Sequence, residues 1–182
     1  MVVPTIRLTK GCHLSMPNPA QDTVSAVSIL THPKLVGPFM MNWVPTEAVY
    51  EERLADLPKN PDKCVWMIHY HGTHIGIISA VGFASKMGIV EVSILILPEY
   101  QGKGIGRKAL RGVLAYLCRP KSAITHVRSS VRQDNAPSLR LMKRLGFVEW
   151  EHGPDLSYAT DQGATVGVTQ FYRPNLRLKQ AA

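Results

Sequence analysis

Long apolar runs are missing from this chain of 182 residues. A membrane-spanning helix takes about 20 consecutive apolar residues. The best stretch here, Ile75 to Ala84, is short and interrupted by Gly76, Ser79 and Gly82. The N-terminus also lacks the basic segment followed by an apolar one that marks a secretory signal. Cysteine is scarce, and Cys12, Cys64 and Cys118 have neither pairing nor metal-ligand spacing. That excludes a disulfide framework and is met most simply by buried thiols in a reducing cytosol, so a cytoplasmic protein without membrane attachment is expected. Acidic residues are few, 13 against 21 lysines and arginines, giving a net charge of +8. Such a surface favours anionic partners such as an acidic protein, nucleic acid or anionic lipid. The cations are dispersed, and no zinc spacing or RNA-binding aromatic motif accompanies them, so direct nucleic-acid recognition is not expected. No G-x-x-x-x-G-K-[ST] string occurs, which removes the Walker-type phosphate loop. Repeats, linkers and low-complexity blocks are absent as well.

What the chain does have is the stretch from Ser93 to Arg107. Ile94 to Leu97 form an unbroken apolar run, as expected of a strand covered on both faces, and Pro98 ends it because it has no N–H for a ladder. Gly102, Gly104 and Gly106 follow. Ile105, Ala109, Leu110, Val113, Leu114 and Leu117 then fall at helical spacing. A helix opening there presents free backbone N–H groups and the positive end of its dipole. The glycines remove side chains that would block a ligand, and Lys103, Arg107 and Lys108 add charge. These features predict a phosphate or pyrophosphate site. Gly104, Gly106 and Ala109 also match the dinucleotide pattern G-x-G-x-x-G/A. No acidic residue ends the next strand, however, and the motif sits mid-chain.

Around this stretch the pattern predicts one α/β (α+β) domain over 1–182, with a mixed, mostly antiparallel sheet flanked by helices. Strands are expected at Thr5–Thr9, Cys64–His69, Thr73–Val81, Ile89–Leu97, Thr125–Val131, Phe147–His152 and Val166–Tyr172. Helices are expected at Asp22–Thr31, with Val24, Val27 and Leu30 on its apolar side; at Thr46–Leu57, opened by a Thr46 cap; at Gly104–Cys118; and at Ala136–Leu145. The last is capped by Asp134 or Asn135 and closed by Gly146. Gly153 to Gly163 reads as a long polar loop and 174–182 as a basic tail. Phe39, Met40, Met41 and Trp43 lie in a loop and suit either the core or the wall of a pocket. His69, His71 and His74 sit on and beside a turn with no carboxylate or cysteine joining them, and read as turn and strand-edge residues rather than metal ligands; no metal is expected.

Gln101-Gly102-Lys103-Gly104-Ile105-Gly106 resembles the Q/R-x-x-G-x-G/A motif of the GNAT superfamily of N-acetyltransferases. Asn135-Ala136-Pro137-Ser138, leading into Lys143-Arg144-Leu145-Gly146-Phe147, is similar to that family's later N-x-x-[AS]…K-x-G-F segment. The likeness covers residues 63–150 best, and its N-x-x-S form is closest to the ribosomal-protein N-terminal acetyltransferases of the RimJ/RimL-like branch.

The resemblance implies that acetyl-coenzyme A is the co-substrate. Its pyrophosphate would lie on Gln101, Gly102, Lys103, Gly104, Ile105, Gly106 and Arg107, and its pantetheine arm beside Leu95, Ile96 and Leu97, where the strand splays. Asn135 would bond the pantetheine or the backbone near it. Transfer to an amine then needs a base, donors for the developing oxyanion and an acid for the leaving thiolate. Glu91 is the candidate base: strand alternation puts it on one face with Ser93, Leu95 and Leu97, and apolar surroundings there would favour its neutral form. Many relatives carry an acid tyrosine where this chain has Met142, leaving Ser138, directly or through water, as the candidate acid. The acceptor implied is a protein N-terminus or another peptide amine. A small amine such as a polyamine, amino acid or antibiotic is the alternative, with Glu47, Glu51, Glu52 and Asp56 as its only candidate acidic lining. A non-catalytic module that binds acyl-coenzyme A is a further one. Monomer and homodimer both remain open.

Overall fold

Ile6–Thr9 (β1) turns back through Gly11 into Cys12–Ser15 (β2). Gly11 stands at φ 77° in that turn, and a Cβ there would strike the His71 ring. Our computed structural model describes residues 3–35, 46–120, 122–151, 156–159 and 165–175. After β2 come Pro19–Leu30 (α1), Glu47–Asp56 (α2), Lys63–Tyr70 (β3), Thr73–Val81 (β4), Ile89–Ile96 (β5), Ile105–Leu117 (α3), His126–Arg132 (β6), Ala136–Arg144 (α4), Val148–Glu149 (β7), Leu156–Ala159 (β8) and Thr165–Pro174 (β9). The strands join in the order β1-β2-β3-β4-β5-β6-β9-β7, with β8 beside β9. All pairs are antiparallel except β5 with β6. The expected mixed, mostly antiparallel α+β domain is what forms.

Alternation along the strands sends side chains to two layers. On one face, Trp66, Ile68, Ile78, Val90, Val92, Val127 and Phe171 pack with Leu110, Val113 and Leu117 of α3. On the other, Val65, Met67 and Ile77 meet Ala26 and Ile29 of α1 and Leu54 of α2, with Leu95 and Leu97 against them.

Several expectations need correction. β2 falls in a stretch left unassigned by pattern: at four residues it is too short for alternation to stand out, although Cys12 and Leu14 are buried. α1 begins at Pro19, because Asn18 caps it by accepting from the N–H of Ala20. Its buried side carries Asp22, Thr23, Ala26, Ile29 and Leu30, and Val24 is 62% exposed. The apolar side is thus rotated from Val24, Val27 and Leu30, since Asp22 is held inward by the Asn18 N–H and His74. The supposed loop Gly153–Gly163 contains β8, which pairs antiparallel with β9. Of the expected basic tail 174–182, Pro174 ends β9 and Asn175 is buried with its Nδ2 donating to the Ile124 carbonyl at 2.8 Å, and 176–182 lie outside the described residues. Phe39, Met40, Met41 and Trp43 lie outside the described residues. The three cysteines are free and buried.

Candidate functional site

β5 and β6 pair at only three positions, Ile89 with His126, Val90 with Val127 and Glu91 with Arg128. Beyond Glu91, β5 stays bonded to β4 on its other side as far as Ile96, while β6 continues to Arg132 paired with β9. The sheet therefore opens into a wedge, and among the described residues no strand pairs the β6-facing edge of Val92–Ile96. A backbone edge within a sheet is a row of donors and acceptors ready for an extended partner.

The wedge points at the start of α3. Leu97, Pro98–Tyr100 and Gln101 carry the chain from β5 through a single 3-10 turn. Gln101 folds back, its Nε2 donating to the Ile96 carbonyl at 2.8 Å, and so pins the strand end to the loop. Gly102 and Gly104 stand at φ 72° and 75°, where side chains are disfavoured. A Cβ at either would meet nothing within 4 Å. Gly104 is the N-cap and gives the helix no side-chain cap, so the first amides of α3 face outward unbonded by a side chain. Lys103 lies over the Tyr100 ring at 5.2 Å, and Arg107 is exposed. The geometry suits an anion held by main-chain N–H groups with two cations beside it.

Two residues of this motif play other parts than the sequence suggested. Gly106 does not clear space for a ligand: a Cβ there would lie 3.0 Å from Ile96 Cδ1, so this glycine lets α3 press onto β5. Ile105 turns its side chain into the core at 6% exposure, leaving only its backbone for a ligand. Ile96 faces α3, whereas Leu95 and Leu97 face α1 and α2, so the strand edge can contribute main-chain groups but not a common side-chain surface.

Glu91 stands where the wedge closes. Its Oε2 accepts from Arg128 Nε at 3.0 Å and lies 2.8 Å from the same guanidinium's terminal nitrogen. Its Oε1 accepts from Ser130 Oγ at 3.0 Å. The expected apolar surroundings are therefore absent: this carboxylate is charge-paired, hydrogen-bonded and about a third exposed (30%). Neither partner was visible in the sequence. Arg128 and Ser130 sit two apart on β6, and only the parallel register places that face beside Glu91. Ser93, next along the same face, is exposed and bonds Ser79 across the β4–β5 ladder at 2.8 Å.

Asn135 caps α4, its Oδ1 accepting from the Ser138 N–H at 3.1 Å. Ser138 is half-buried in the first turn of α4, and no hydrogen bond joins it to Glu91 among the described residues. Met142 is 2% exposed in the core, so the position where a tyrosine acid was sought belongs to packing. Just before α4, Arg132 grips Asp134 with two bonds of 3.0 and 2.6 Å, holding the Asp134 carboxyl below its usual range.

His71 sits in the β3–β4 turn as expected, at φ 48°, whereas His69 and His74 join His13 in a cluster on the α1 side of the sheet. His69 pairs His74 across β3 and β4, and its ring stacks on His13 of β2 at 4.3 Å. Ser15 Oγ lies 2.7 Å from His69 Nε2, and His74 reaches Asp22 at 3.5 Å. Burial, with the neighbouring His74 and His13, lowers the His69 pKa to about 4. No three His, Cys, Asp or Glu side chains are placed to share a metal among the described residues. Likewise, no helix there is long and apolar enough to cross a membrane.

A family model described as an acetyltransferase (GNAT) domain matches residues 14–148. No curated protein sequence matches the chain. Among solved structures, RimL, a ribosomal-protein alpha-N-acetyltransferase in complex with coenzyme A, superposes with a TM-score of 0.81 at 14% identity, covering 94% of this chain and 98% of that one. A ribosomal-protein-S5-alanine acetyltransferase from Vibrio fischeri gives 0.80 at 17% identity, over 95% and 97%. Spermidine N-acetyltransferase from Vibrio cholerae, in complex with coenzyme A and spermine, gives 0.80 at 17% identity, over 92% and 98%. At these identities the likeness is one of fold.

Proposed function

The chain belongs to the acetyltransferase (GNAT) family, and from that premise we propose that it moves the acetyl group of acetyl-coenzyme A directly onto a primary amine, the N-terminus of a protein or another peptide amine. One observation carries the reading: the wedge between β5 and β6 runs from the Glu91–Arg128 pair at its closed end to the uncapped N-terminus of α3. An extended pantetheine arm fits such an edge, with the diphosphate on the amides around Gly104 and with Lys103, Arg107 and the backbone of Leu95, Ile96 and Leu97 along its path. Bound there, the co-substrate supplies an acyl group activated as a thioester.

The residues of the chain then divide the remaining work. An amine is mostly protonated at neutral pH, and the Glu91 carboxylate receives the ammonium and takes its proton, directly or through water. Arg128 and Ser130 hold that carboxylate in position. As the C–N bond forms and the C–S bond breaks, a β5 amide near Leu95 to Leu97 donates to the developing oxyanion. Ser138, or a water at the mouth of α4, returns a proton to the sulfur. Asn135 shapes that end by capping α4. The unit doing this is the domain spanning 1–182.

Glu91→Gln keeps the shape and the Arg128 contact but removes the base. Its kcat is expected to fall roughly 100-fold or more, with acetyl-coenzyme A affinity within twofold of wild type. A thiol-release assay over amines and N-terminal peptides, paired with calorimetric cofactor binding, measures both. Unchanged kcat would remove Glu91 from the reaction. Tight cofactor binding with no acceptor acetylated would favour a non-catalytic binding module. The small-amine reading has weaker support: Glu47, Glu51, Glu52 and Asp56 are all exposed on α2, where they form an outer helix face rather than a pocket lining.

A further inference from the structure

The sheet face that carries Glu91 continues, uncovered by α1 and α2, across β6, β9 and β7. Glu91 is in register with Arg128, Arg128 with Tyr172, and Tyr172 with Val148. Residues in register share a face, so these four side chains form one row across four strands. The next row is parallel to it: Ser130 pairs Gln170, and the Gln170 carbonyl accepts from the Trp150 N–H at 2.8 Å. The layer under α1 and α2 includes no residue of β6, β7 or β9. A groove of about 620 Å³ results, its lining including Ile89, His126, Tyr172, Val148 and Trp150 together with the carboxylates of Glu149 and Glu151. Val148 is 48% and Trp150 41% exposed, and large apolar side chains set together at a surface mark a binding site.

The groove is continuous with the proposed transfer site because Arg128 belongs to both: it lines the groove and bonds Glu91. Its charge is already matched by that bond, so the floor between Glu91 and Trp150 offers apolar surface rather than a free cation. Neighbouring strands lie about 4.8 Å apart, so the row from Glu91 to Val148 spans about 14 Å. An extended chain advances about 3.4 Å per residue, and about four residues cover that distance.

We infer that the acceptor is an extended peptide whose terminal amine meets Glu91 and whose second to fourth residues lay apolar side chains on Tyr172, Val148 and Trp150. This rests on the reading of Glu91 as the amine-receiving end of the wedge.

The test uses the full chain, saturating coenzyme A or acetyl-coenzyme A, and two peptides with the same first residue. One carries Leu and Phe within positions two to four, the other only Gly and Ser. The apolar peptide is expected to bind and react with a Kd and KM about tenfold lower or better. Trp150→Ala, or Val148→Ser should the first variant fold poorly, is expected to collapse that preference to within twofold. Equal Kd for the two peptides on the wild type overturns the inference, as does a preference that survives both substitutions. A concentration-dependent dimer in sedimentation that Trp150→Ala dissolves also overturns it, since a second copy would then own the groove. Calorimetric binding separates this inference from the reading beneath it. Apolar-selective binding without acetylation keeps the groove and sinks the amine transfer; acetylation without selectivity does the reverse.

Discussion

Glu91 shows how much a residue's role depends on neighbours that are distant in sequence. Arg128 and Ser130 are 37 and 39 positions away, yet both bond its carboxylate. A carboxylate in that setting is anchored and aimed, where an apolar site would have left it poised but loose. His69 is the opposite case, a titratable ring whose surroundings oppose charge. Its pKa lies at about 4, lowered first by burial and then by His74 and His13, with Asp22 pulling the other way. The folded state therefore binds this proton less readily than the unfolded chain, whose histidine titrates near 6.5. The stability that neutral His69 contributes is complete above about pH 6.5. It is lost progressively as pH falls from there toward 4. Urea midpoints measured from pH 7.5 down to 4.5 should decline, and His69→Gln should flatten the decline. A slope unchanged by that substitution would place the acid sensitivity elsewhere.

At the scale of elements, the opening of α3 divides two kinds of glycine that look alike in sequence. Gly104 faces open space and Gly106 faces Ile96. Gly104→Trp should abolish measurable acetyl-coenzyme A binding, because the indole would fill the ground over the first amides. Gly104→Ala serves as its control: it costs about 1–2 kcal/mol of stability through the left-handed φ but leaves the site open. Gly106→Val should instead lower the thermal midpoint, since overpacking of this kind costs about 1–3 kcal/mol, and should weaken binding only as far as α3 shifts. Calorimetry and thermal melts on the three variants separate these outcomes; a Gly104→Trp protein that still binds would refute the phosphate site. The strand, glycine turn and helix were legible because each has a local cause: an apolar run, a proline stop and helical spacing. β2 and β8 were not, as both exist through their ladders with β3 and β9. The face of α1 was misread for a related reason. Asp22 and Thr23 are inside because His74 and the Pro19 carbonyl receive them, and hydropathy alone assigns them outward.

For the molecule as a whole, the family, the sheet class and the glycine turn that opens α3 could be read from sequence, whereas the row of side chains from Glu91 to Val148 could not. The proposed phosphate end is built from one continuous segment. The proposed acceptor end is assembled from β5, β6, β7 and β9, and its row of side chains appears only when four strands come into register. Charge acts at this same scale. A net charge of +8 sets a long-range positive field, and the site proposed for the several negative charges of coenzyme A is flanked by Lys103 and Arg107. Such a field speeds encounter but adds little once contact is made, when short-range bonds to main-chain amides dominate. Salt screens the first effect far more than the second, the Debye length shrinking from about 10 Å at 0.1 M to about 3 Å at 1 M. Stopped-flow binding of acetyl-coenzyme A should therefore show an association rate that falls on the order of tenfold between low and high salt, with a dissociation rate that changes by less than about threefold. Were dissociation to carry most of the salt dependence, side-chain cations rather than the amides opening α3 would be holding the diphosphate.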